Sequence, residues 1–177
     1  HVPEVEESKP PEMTVEKDFL LFFGRIDKYK GIERLLKAYH NVSRNTLPLV
    51  IAGGGQFTDT ESSLIKSCNN LTVINRYICD GEMKWLFKHM TAAVLPYIEA
   101  TQSGIIPIAY LFGKPVIVSN VPGLTQFVID GETGRICATQ EEFEKAFIQI
   151  DSEITIECIN QIKKYYSENM YWNKNVR

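Results

Sequence analysis

The stretch YIEATQSGIIPIAYLFGKPVIVSN, residues 97–120, joins three kinds of sequence in one short run. A lone acid and small polar residues come first, and an apolar run of helical length follows. Gly-Lys-Pro then leads into a short run of β-branched residues. This order predicts a helix over 103–112 and a strand over 114–119, with the polar residues at the start of the helix.

The same alternation of strand and helix extends over the rest of the chain. The run FLLFFG, residues 19–24, is continuously apolar, which predicts a strand covered on both faces. A further strand and its glycine exit are predicted at 47–55, and further strands at 71–77, 91–97 and 135–138. Further helices are predicted at 31–42, 59–67, 80–90, 122–129, 140–149 and 153–168. Short links between them predict an α/β fold: a doubly wound parallel sheet with helices on both faces.

The composition changes at both ends of the predicted sheet. Residues 1–17 are acidic, contain proline and lack an apolar period, which predicts a linker or arm. We expect one α/β domain over 18–150 and a helical segment over 151–177. The sequence begins at His1 and not at Met, so we expect it to be a piece of a longer protein.

Composition excludes some classes of function. The net charge of −3, with basic residues spread along the chain, argues against a nucleic-acid-binding protein. The four cysteines form no Cys-x-x-Cys pair and lie apart from the histidines, which favours free thiols in a reducing compartment. We find no signal peptide, no apolar run near the roughly 20 residues of a membrane span, and no metal-binding motif.

In a parallel α/β sheet, ligands bind at the carboxyl ends of the strands, so the residues that follow each strand decide the function. The segment GRIDKYKG, residues 24–31, places Arg25 after the first strand and Lys30 at the start of the next helix. A guanidinium fork, an ammonium and a helix N-terminus together can hold a diphosphate. The alternative is that both residues are solvated loop charges.

A second candidate anion site lies in EATQSG, residues 99–104. Thr101 or Gln102 would precede the helix, with Ser103 and Gly104 in its first turn, where small residues let a ligand reach the backbone amides. Glu99 stands beside this site, and a carboxylate there would face sugar hydroxyls, because it accepts the hydrogen bonds that they donate. The alternatives are an N-cap role for Thr101 and a surface role for Glu99.

Other polar or glycine-rich motifs carry weaker signals. The glycines of 53–55 permit a tight turn but do not match the Gly-x-Gly-x-x-Gly pattern of a dinucleotide site. His40 and His89 fall within helical patterns, which favours surface or packing roles.

Taken in order, FGRIDKYKGIERLLKA (23–38), LVIAGGG (49–55) and LPYIEATQSGIIPIAYLFGKPVIVSNVPGLTQFVIDGETGRIC (95–137) resemble one known domain. It is the C-terminal domain of retaining glycosyltransferases with two Rossmann-like domains (the GT-B fold, glycosyltransferase family 4-like). The resemblance covers about residues 18–150. The tail YYSENMYWNKNVR, residues 165–177, also resembles the closing helical segment of that family.

The resemblance implies a nucleotide-sugar donor, no metal or other cofactor, and a glycan or lipid-linked acceptor bound by an N-terminal domain that this sequence lacks. It implies that Arg25 and Lys30 grip the donor diphosphate and that Glu99 contacts the transferred sugar, so that these three residues act in catalysis. The loop at Tyr77 and Ile78 would lie against the base. The implied donor-binding residues are Gly24, Arg25, Lys30, Tyr77, Ile78, Glu99, Thr101, Gln102, Ser103 and Gly104.

One departure from the family concerns its second glutamate, which binds the ribose. Eight residues after Glu99 stands Pro107, and an alignment from the Gly-Lys-Pro motif places Ile108 there instead. Neither side chain can hydrogen-bond a ribose. Gln126 also replaces a glutamate often found in the helix of PGLTQF, residues 122–127.

Three functions therefore remain open. The first is the donor-binding domain of a glycosyltransferase in polysaccharide or lipid glycan synthesis, in a parent that is cytoplasmic and peripheral to the inner membrane face where its acceptor is lipid-linked. The second is a non-catalytic module with a degenerate site, which the missing glutamate favours. The third is a nucleotide-sugar 2-epimerase, which would need further acids and histidines around the sugar.

Overall fold

The computed structural model describes residues 4–170, which form a three-layer α/β domain. Six parallel strands pair in the order β3-β2-β1-β4-β5-β6. The strands are β1 (Leu20–Phe23), β2 (Leu49–Ala52), β3 (Leu71–Ile74), β4 (Ala92–Leu95), β5 (Val116–Ser119) and β6 (Gly134–Cys137). The helices are α1 (Ile32–Val42), α2 (Asp59–Ser67), α3 (Asp80–His89), α4 (Ile105–Leu111), α5 (Pro122–Thr125), α6 (Gln140–Glu153) and α7 (Ile156–Asn169).

This architecture confirms the predicted doubly wound parallel sheet. All residues of β2, β4 and β5 are buried, as expected for strands covered by helices on both faces. Helix α1 contacts both α2 and α6 on one face, and α4 contacts α7 on the other. The order of the strands reverses between β1 and β4, and this is the topological switch point of the sheet.

The predicted elements are present, but several are shorter than the sequence indicated. The second strand ends at Ala52, and the glycine exit predicted after it begins at Gly53, which turns the chain with a φ of +151°. The helix predicted over 103–112 begins at Ile105, and the helix predicted over 122–129 spans only Pro122–Thr125. Phe127, Val128 and Ile129 continue the apolar pattern after Thr125, so composition could not indicate where this helix ends.

The arm predicted over 1–17 lies against α3 in the part that the structure describes. The Ser8 amide donates to the Gly81 carbonyl at 3.1 Å, and Lys88 forms an ion pair with Glu7 at 2.9 Å. Met13 is 6% exposed and belongs to the hydrophobic core. A boundary at residue 17 remains a prediction, although this packing joins the arm to the domain.

The segment after residue 150 also packs on the domain. Tyr165 of α7 stacks edge-to-face on Tyr110 of α4 with 5.8 Å between ring centroids, and Ile162 is fully buried. The last part of the tail, including Trp172, lies outside the described residues, so its predicted helical structure remains a prediction. Among residues 4–170, no helix is both long enough and apolar enough to span a membrane.

Candidate functional site

The candidate site lies at the carboxyl ends of β1 and β4, where the sheet changes direction. The loop after β1 carries Gly24, Arg25 and Lys30, and the loop after β4 carries Glu99. A crevice forms at such a switch point because the helices that follow the two strands lie on opposite faces of the sheet. The topology therefore brings the two separately predicted segments to one edge.

The loop after β1 is held by the glycines that follow β2. The Gly24 amide donates to the Ala52 carbonyl at 3.0 Å, and the Ile26 amide donates to the Gly54 carbonyl at 2.9 Å. A Cβ on Gly53 would lie 1.8 Å from the Gly24 carbonyl oxygen, so no other residue fits. The glycines of 53–55 thus serve close packing between loops. Ile26 is buried while its neighbour Arg25 is exposed.

Lys30 ends a single 3₁₀ turn, Lys28–Lys30, immediately before α1. The Asp27 carboxylate caps this turn by accepting from the Lys28 amide at 2.8 Å. Gly31 then adopts a left-handed conformation (φ +72°) and is the N-cap of α1. A Cβ on Gly31 would lie 1.9 Å from the Pro96 carbonyl oxygen. The start of α1 is therefore in direct contact with the loop after β4.

The two loops are also joined by a hydrogen bond and by an aromatic contact. The Ile98 amide donates to the Tyr29 carbonyl at 2.8 Å. The Lys30 ammonium lies 4.2 Å from the ring centroid of Tyr97 and 5.1 Å from that of Tyr29. Tyr97 is 1% exposed, whereas Glu99, two residues later, is exposed at the same edge. Lys30 and Glu99 thus lie on two loops that contact each other.

The segment Thr101–Gly104 differs from its prediction. We predicted Ser103 and Gly104 in the first turn of the helix, but α4 begins at Ile105 with Gly104 as its N-cap. Thr101 does not cap the helix, because the Ser103 hydroxyl accepts the Ile105 amide at 3.1 Å. Within residues 4–170, the amides of Ser103 and Gly104 donate to no other protein group, and a Cβ on Gly104 would meet only open space. Both amides therefore lack a protein partner among the described residues.

The loop after β3, which carries Tyr77 and Ile78, is held by Arg76. This guanidinium binds the Glu12 carboxylate at 2.7 and 2.8 Å and the Glu82 carboxylate at 2.7 and 2.9 Å. It also donates to the Tyr77 carbonyl at 3.0 Å. The guanidinium, followed by the Cys79 amide, lowers the pKa of Glu82 to about 2.

Within that loop, Tyr77 is 81% exposed and Ile78 is 8% exposed. A large exposed aromatic ring beside a fixed backbone is suited to stacking on a planar ligand. Sequence reasoning missed Arg76 and Glu12, because they are 64 residues apart and no local pattern connects them.

A second arginine that sequence reasoning missed is Arg34, in the first turns of α1. Its guanidinium donates to the Ser119 hydroxyl at the end of β5 at 3.2 Å. The Ser119 hydroxyl lies 3.4 Å from the Leu95 carbonyl at the end of β4. Arg34 therefore adds a half-buried positive charge at the carboxyl ends of the neighbouring strands.

Pro107 and Ile108, which stand where the family has its second glutamate, line an apolar cleft of about 300 Å³ between α4 and α7. Proline is accommodated at the third position of α4, where its missing amide would have had no helical partner. The other residues of the cleft are Gln102, Ser103, Leu111, Phe127, Tyr166, Asn169 and Met170. No carboxylate among them replaces the missing glutamate.

Among the described residues, the cysteines and His89 form no cluster of catalytic or metal-binding groups. All four cysteines are free thiols. The ring of His89 stacks on Trp85 with 4.4 Å between centroids, and its Nδ1 lies 2.8 Å from the Trp85 carbonyl. Across residues 4–170, no three His, Cys, Asp or Glu side chains group as metal ligands would.

Comparisons with known proteins agree with this fold. A solved sucrose-phosphate synthase from Thermosynechococcus elongatus superposes with a TM-score of 0.76 at 20% identity, covering 90% of this chain and 43% of that one. HepE of Anabaena, solved in complex with UDP-glucose, superposes with a TM-score of 0.73 at 16% identity, covering 86% and 44%. At these identities, the two structures establish the fold alone.

Similarity also extends to sequence. An uncharacterized glycosyltransferase of Methanocaldococcus jannaschii is 31% identical over 119 residues, covering 64% of this chain and 30% of the relative. The chain spans about a third to a half of the length of the curated relatives that it matches. The family model "Glycosyl transferases group 1" matches residues 4–165. This chain belongs to the family of glycosyl transferases group 1.

Proposed function

We propose that this chain is the donor-binding domain of a retaining, metal-independent glycosyltransferase, which moves a sugar from a nucleotide-sugar to an acceptor. The observation that carries the proposal is the convergence of Arg25, Lys30 and Glu99 on two contacting loops at the switch point of the sheet. HepE, which has the same fold, binds UDP-glucose, and this supports a nucleotide-sugar as the ligand.

The side chains present suit the breaking of a bond between a sugar and a diphosphate. As that bond breaks, negative charge builds on the departing diphosphate. Arg25 and Lys30 would stabilise this charge, and the amides of Ser103 and Gly104, which have no protein partner among the described residues, would add two donors. These two cations supply the charge stabilisation for which other transferases use a metal ion.

The proposal also gives a role to each of the other predicted donor-binding residues. Glu99, exposed and on the same edge, would accept hydrogen bonds from the hydroxyls of the transferred sugar. Gly24, with open space where a side chain would be, would let the ligand approach the backbone of the first loop. Tyr77 and Ile78 would bound the base, and Thr101 and Gln102 the mouth of the site.

The acceptor is the part of the proposal that lies outside this chain. We propose that a further domain of a longer parent binds a glycan or lipid-linked acceptor. We place that parent in the cytoplasm. If its acceptor is lipid-linked, the parent would lie at the inner face of the membrane. Transfer assays with the parent, followed by assignment of the anomeric configuration in the product, test the retaining reaction.

A second candidate function is a non-catalytic module that has lost its donor site. Pro107 and Ile108 favour it, because the ribose would lack the carboxylate that the family provides. Arg25 and Lys30 argue against it, because a degenerate site has no reason to keep both cations. No observation favours the 2-epimerase, since His89 is engaged with Trp85 and His40 lies in α1.

A thermal-shift screen against nucleoside diphosphates and their sugar conjugates tests the proposal, because a ligand that binds only the folded state raises Tm. We expect one nucleotide to raise Tm and the variant Arg25→Ala/Lys30→Ala to abolish the shift. Charge-assisted hydrogen bonds contribute roughly 1.5–3 kcal/mol each, so the double variant should lose about 100-fold or more in affinity.

The variant Arg44→Ala/Lys66→Ala is the matched control, because it also removes one arginine and one lysine. Arg44 is exposed after α1, and Lys66 is exposed on α2. It should keep the shift. If the double variant at 25 and 30 binds as tightly as the unmutated 177-residue chain, the assignment of the diphosphate site is wrong. If no nucleotide binds even at millimolar concentration, in this chain or in the longer parent, the degenerate module is the better reading.

A further inference from the structure

The ammonium of Lys30 is held by aromatic rings and not by a carboxylate. Its Nζ lies 4.2 Å from the ring centroid of Tyr97 and 5.1 Å from that of Tyr29. None of the ion pairs within residues 4–170 includes Lys30. An aromatic face attracts a cation through its quadrupole but leaves the charge unneutralised. A carboxylate at the same place would compete with a phosphate.

Tyr97 forms a rigid support for this ammonium. Its side chain is 1% exposed, so the surrounding protein encloses the ring. The hydrogen bond between the Ile98 amide and the Tyr29 carbonyl and the close approach of Gly31 to Pro96 hold the backbone on both sides of the contact. Tyr29 is 41% exposed and lies farther from the ammonium, so it contributes less.

The hydroxyl of Tyr97 gives a second indication that Tyr97 acts on Lys30 through its ring face and not through a hydrogen bond. It is buried and has no hydrogen-bond partner within the described residues. A buried hydroxyl without a partner costs free energy and stabilises nothing. Phenylalanine at this position would therefore keep the contact with Lys30 and lose no hydrogen bond.

We propose that Tyr97 is a positioning residue, whose ring holds the Lys30 ammonium at the carboxyl edge of the sheet and thereby sets its affinity for the donor diphosphate. This inference rests on the proposed function, because it acts through Lys30. Tyr97 thereby gives the loop after β4 a further role, in diphosphate binding through Lys30. This role differs from that of Glu99, which would contact the sugar, and from that of the Ser103 and Gly104 amides, which would contact the diphosphate directly.

A double-mutant cycle with the 177-residue chain tests the proposal. The probe is inorganic pyrophosphate, measured by isothermal titration, because it carries the diphosphate without a base or sugar. We expect Tyr97→Leu to weaken binding by about two- to thirty-fold, the range that a cation–π contact supports, and Tyr97→Phe to leave it unchanged. In the Lys30→Ala background, Tyr97→Leu should weaken binding no further.

A measurement without ligand separates this inference from the proposed function. Reductive dimethylation keeps the charge of lysine and adds methyl groups that NMR detects, and Lys30→Arg assigns the resonance. We expect a ring-current shift for Lys30 that persists in Tyr97→Phe, changes little in Tyr29→Leu and disappears in Tyr97→Leu.

Two results would overturn the inference. One is an unshifted Lys30 resonance in the parent chain. The other is an equal loss of affinity from Tyr97→Leu with and without Lys30, which would show that Tyr97 acts only through packing. If instead Lys30→Ala leaves pyrophosphate affinity unchanged, the role of Lys30 in the proposed function fails. The functional part of the inference then fails with it, whatever the resonance shows.

Discussion

Replacing Glu82 with Gln should lower the stability of the domain and make it less dependent on pH. The Glu82 carboxylate accepts hydrogen bonds from the Arg76 guanidinium at 2.7 and 2.9 Å and from the Cys79 amide at 3.2 Å. These contacts lower its pKa from an ordinary value of about 4.5 to about 2. Glutamine keeps the shape but removes the charge.

The size of the effect follows from the pKa shift. A shift of this size corresponds to about 3 kcal/mol at neutral pH. Because the Arg76 side chain is 36% exposed, solvent screening reduces the effect, and we expect about 1–2 kcal/mol. The folded-state pKa lies below the unfolded-state value, so the contribution is complete above about pH 4.5. It falls as the pH is lowered toward 2, and roughly half of it should be lost by pH 3.

Urea unfolding of the parent chain and of Glu82→Gln at pH 7 and at pH 3 measures this difference. Comparing the two proteins at each pH cancels the titration of the other carboxylates. The control is Glu168→Gln, which removes a carboxylate 4.0 Å from Lys164 on the exposed face of α7 and should cost less than about 0.5 kcal/mol. The reasoning is refuted if Glu82→Gln costs no more than this control, or if its cost is the same at both values of pH.

Three further predictions concern the loops, the buried thiol and the sugar contact. Gly53→Ala should destabilise the domain by more than about 3 kcal/mol in urea unfolding, because its Cβ would lie 1.8 Å from the Gly24 carbonyl oxygen; a cost below 1 kcal/mol would contradict this packing. Burial raises the pKa of the Cys137 thiol to about 12, so little reactive thiolate forms at pH 8. Iodoacetamide at pH 8 should therefore modify the exposed Cys79 and spare Cys137 until the protein unfolds, which peptide mass mapping would measure. Glu99→Ala should lower the affinity for a nucleotide-sugar by about tenfold and leave the affinity for the nucleoside diphosphate unchanged. Calorimetric titration with both ligands measures this, and an equal loss of affinity for both would show that Glu99 does not contact the sugar.

The sequence could predict the order of strands and helices because β1, β2 and β4 are continuously apolar and the longer helices α1, α6 and α7 each have a polar face. Both patterns are local, and the burial of β2, β4 and β5 follows from them. The location of Arg25 and Lys30 could also be predicted. Both lie in the segment between the first apolar strand and the helix after it, and a parallel sheet brings such residues to its carboxyl edge.

Helix starts and long-range contacts could not be predicted in this way. The helix predicted from Ser103 begins at Ile105, because the Ser103 hydroxyl accepts the amide of Ile105 outside the helix. Glu12, in a segment predicted to be a linker, is a ligand of Arg76 because the arm lies on α3. Such contacts depend on where distant segments meet in space, and no local spacing records that.

The sequence by itself determined the fold class and the edge of the sheet where the candidate site lies, since periodic burial and the direction of the strands are properties of single segments. Only the tertiary structure decided the surroundings of each functional group. It placed the Lys30 ammonium on the ring of Tyr97, 67 positions later in the chain, and it placed Pro107 and Ile108 in an apolar cleft. Both arrangements arise from the packing of separate loops and helices, and this packing sets the charge and shape of the site.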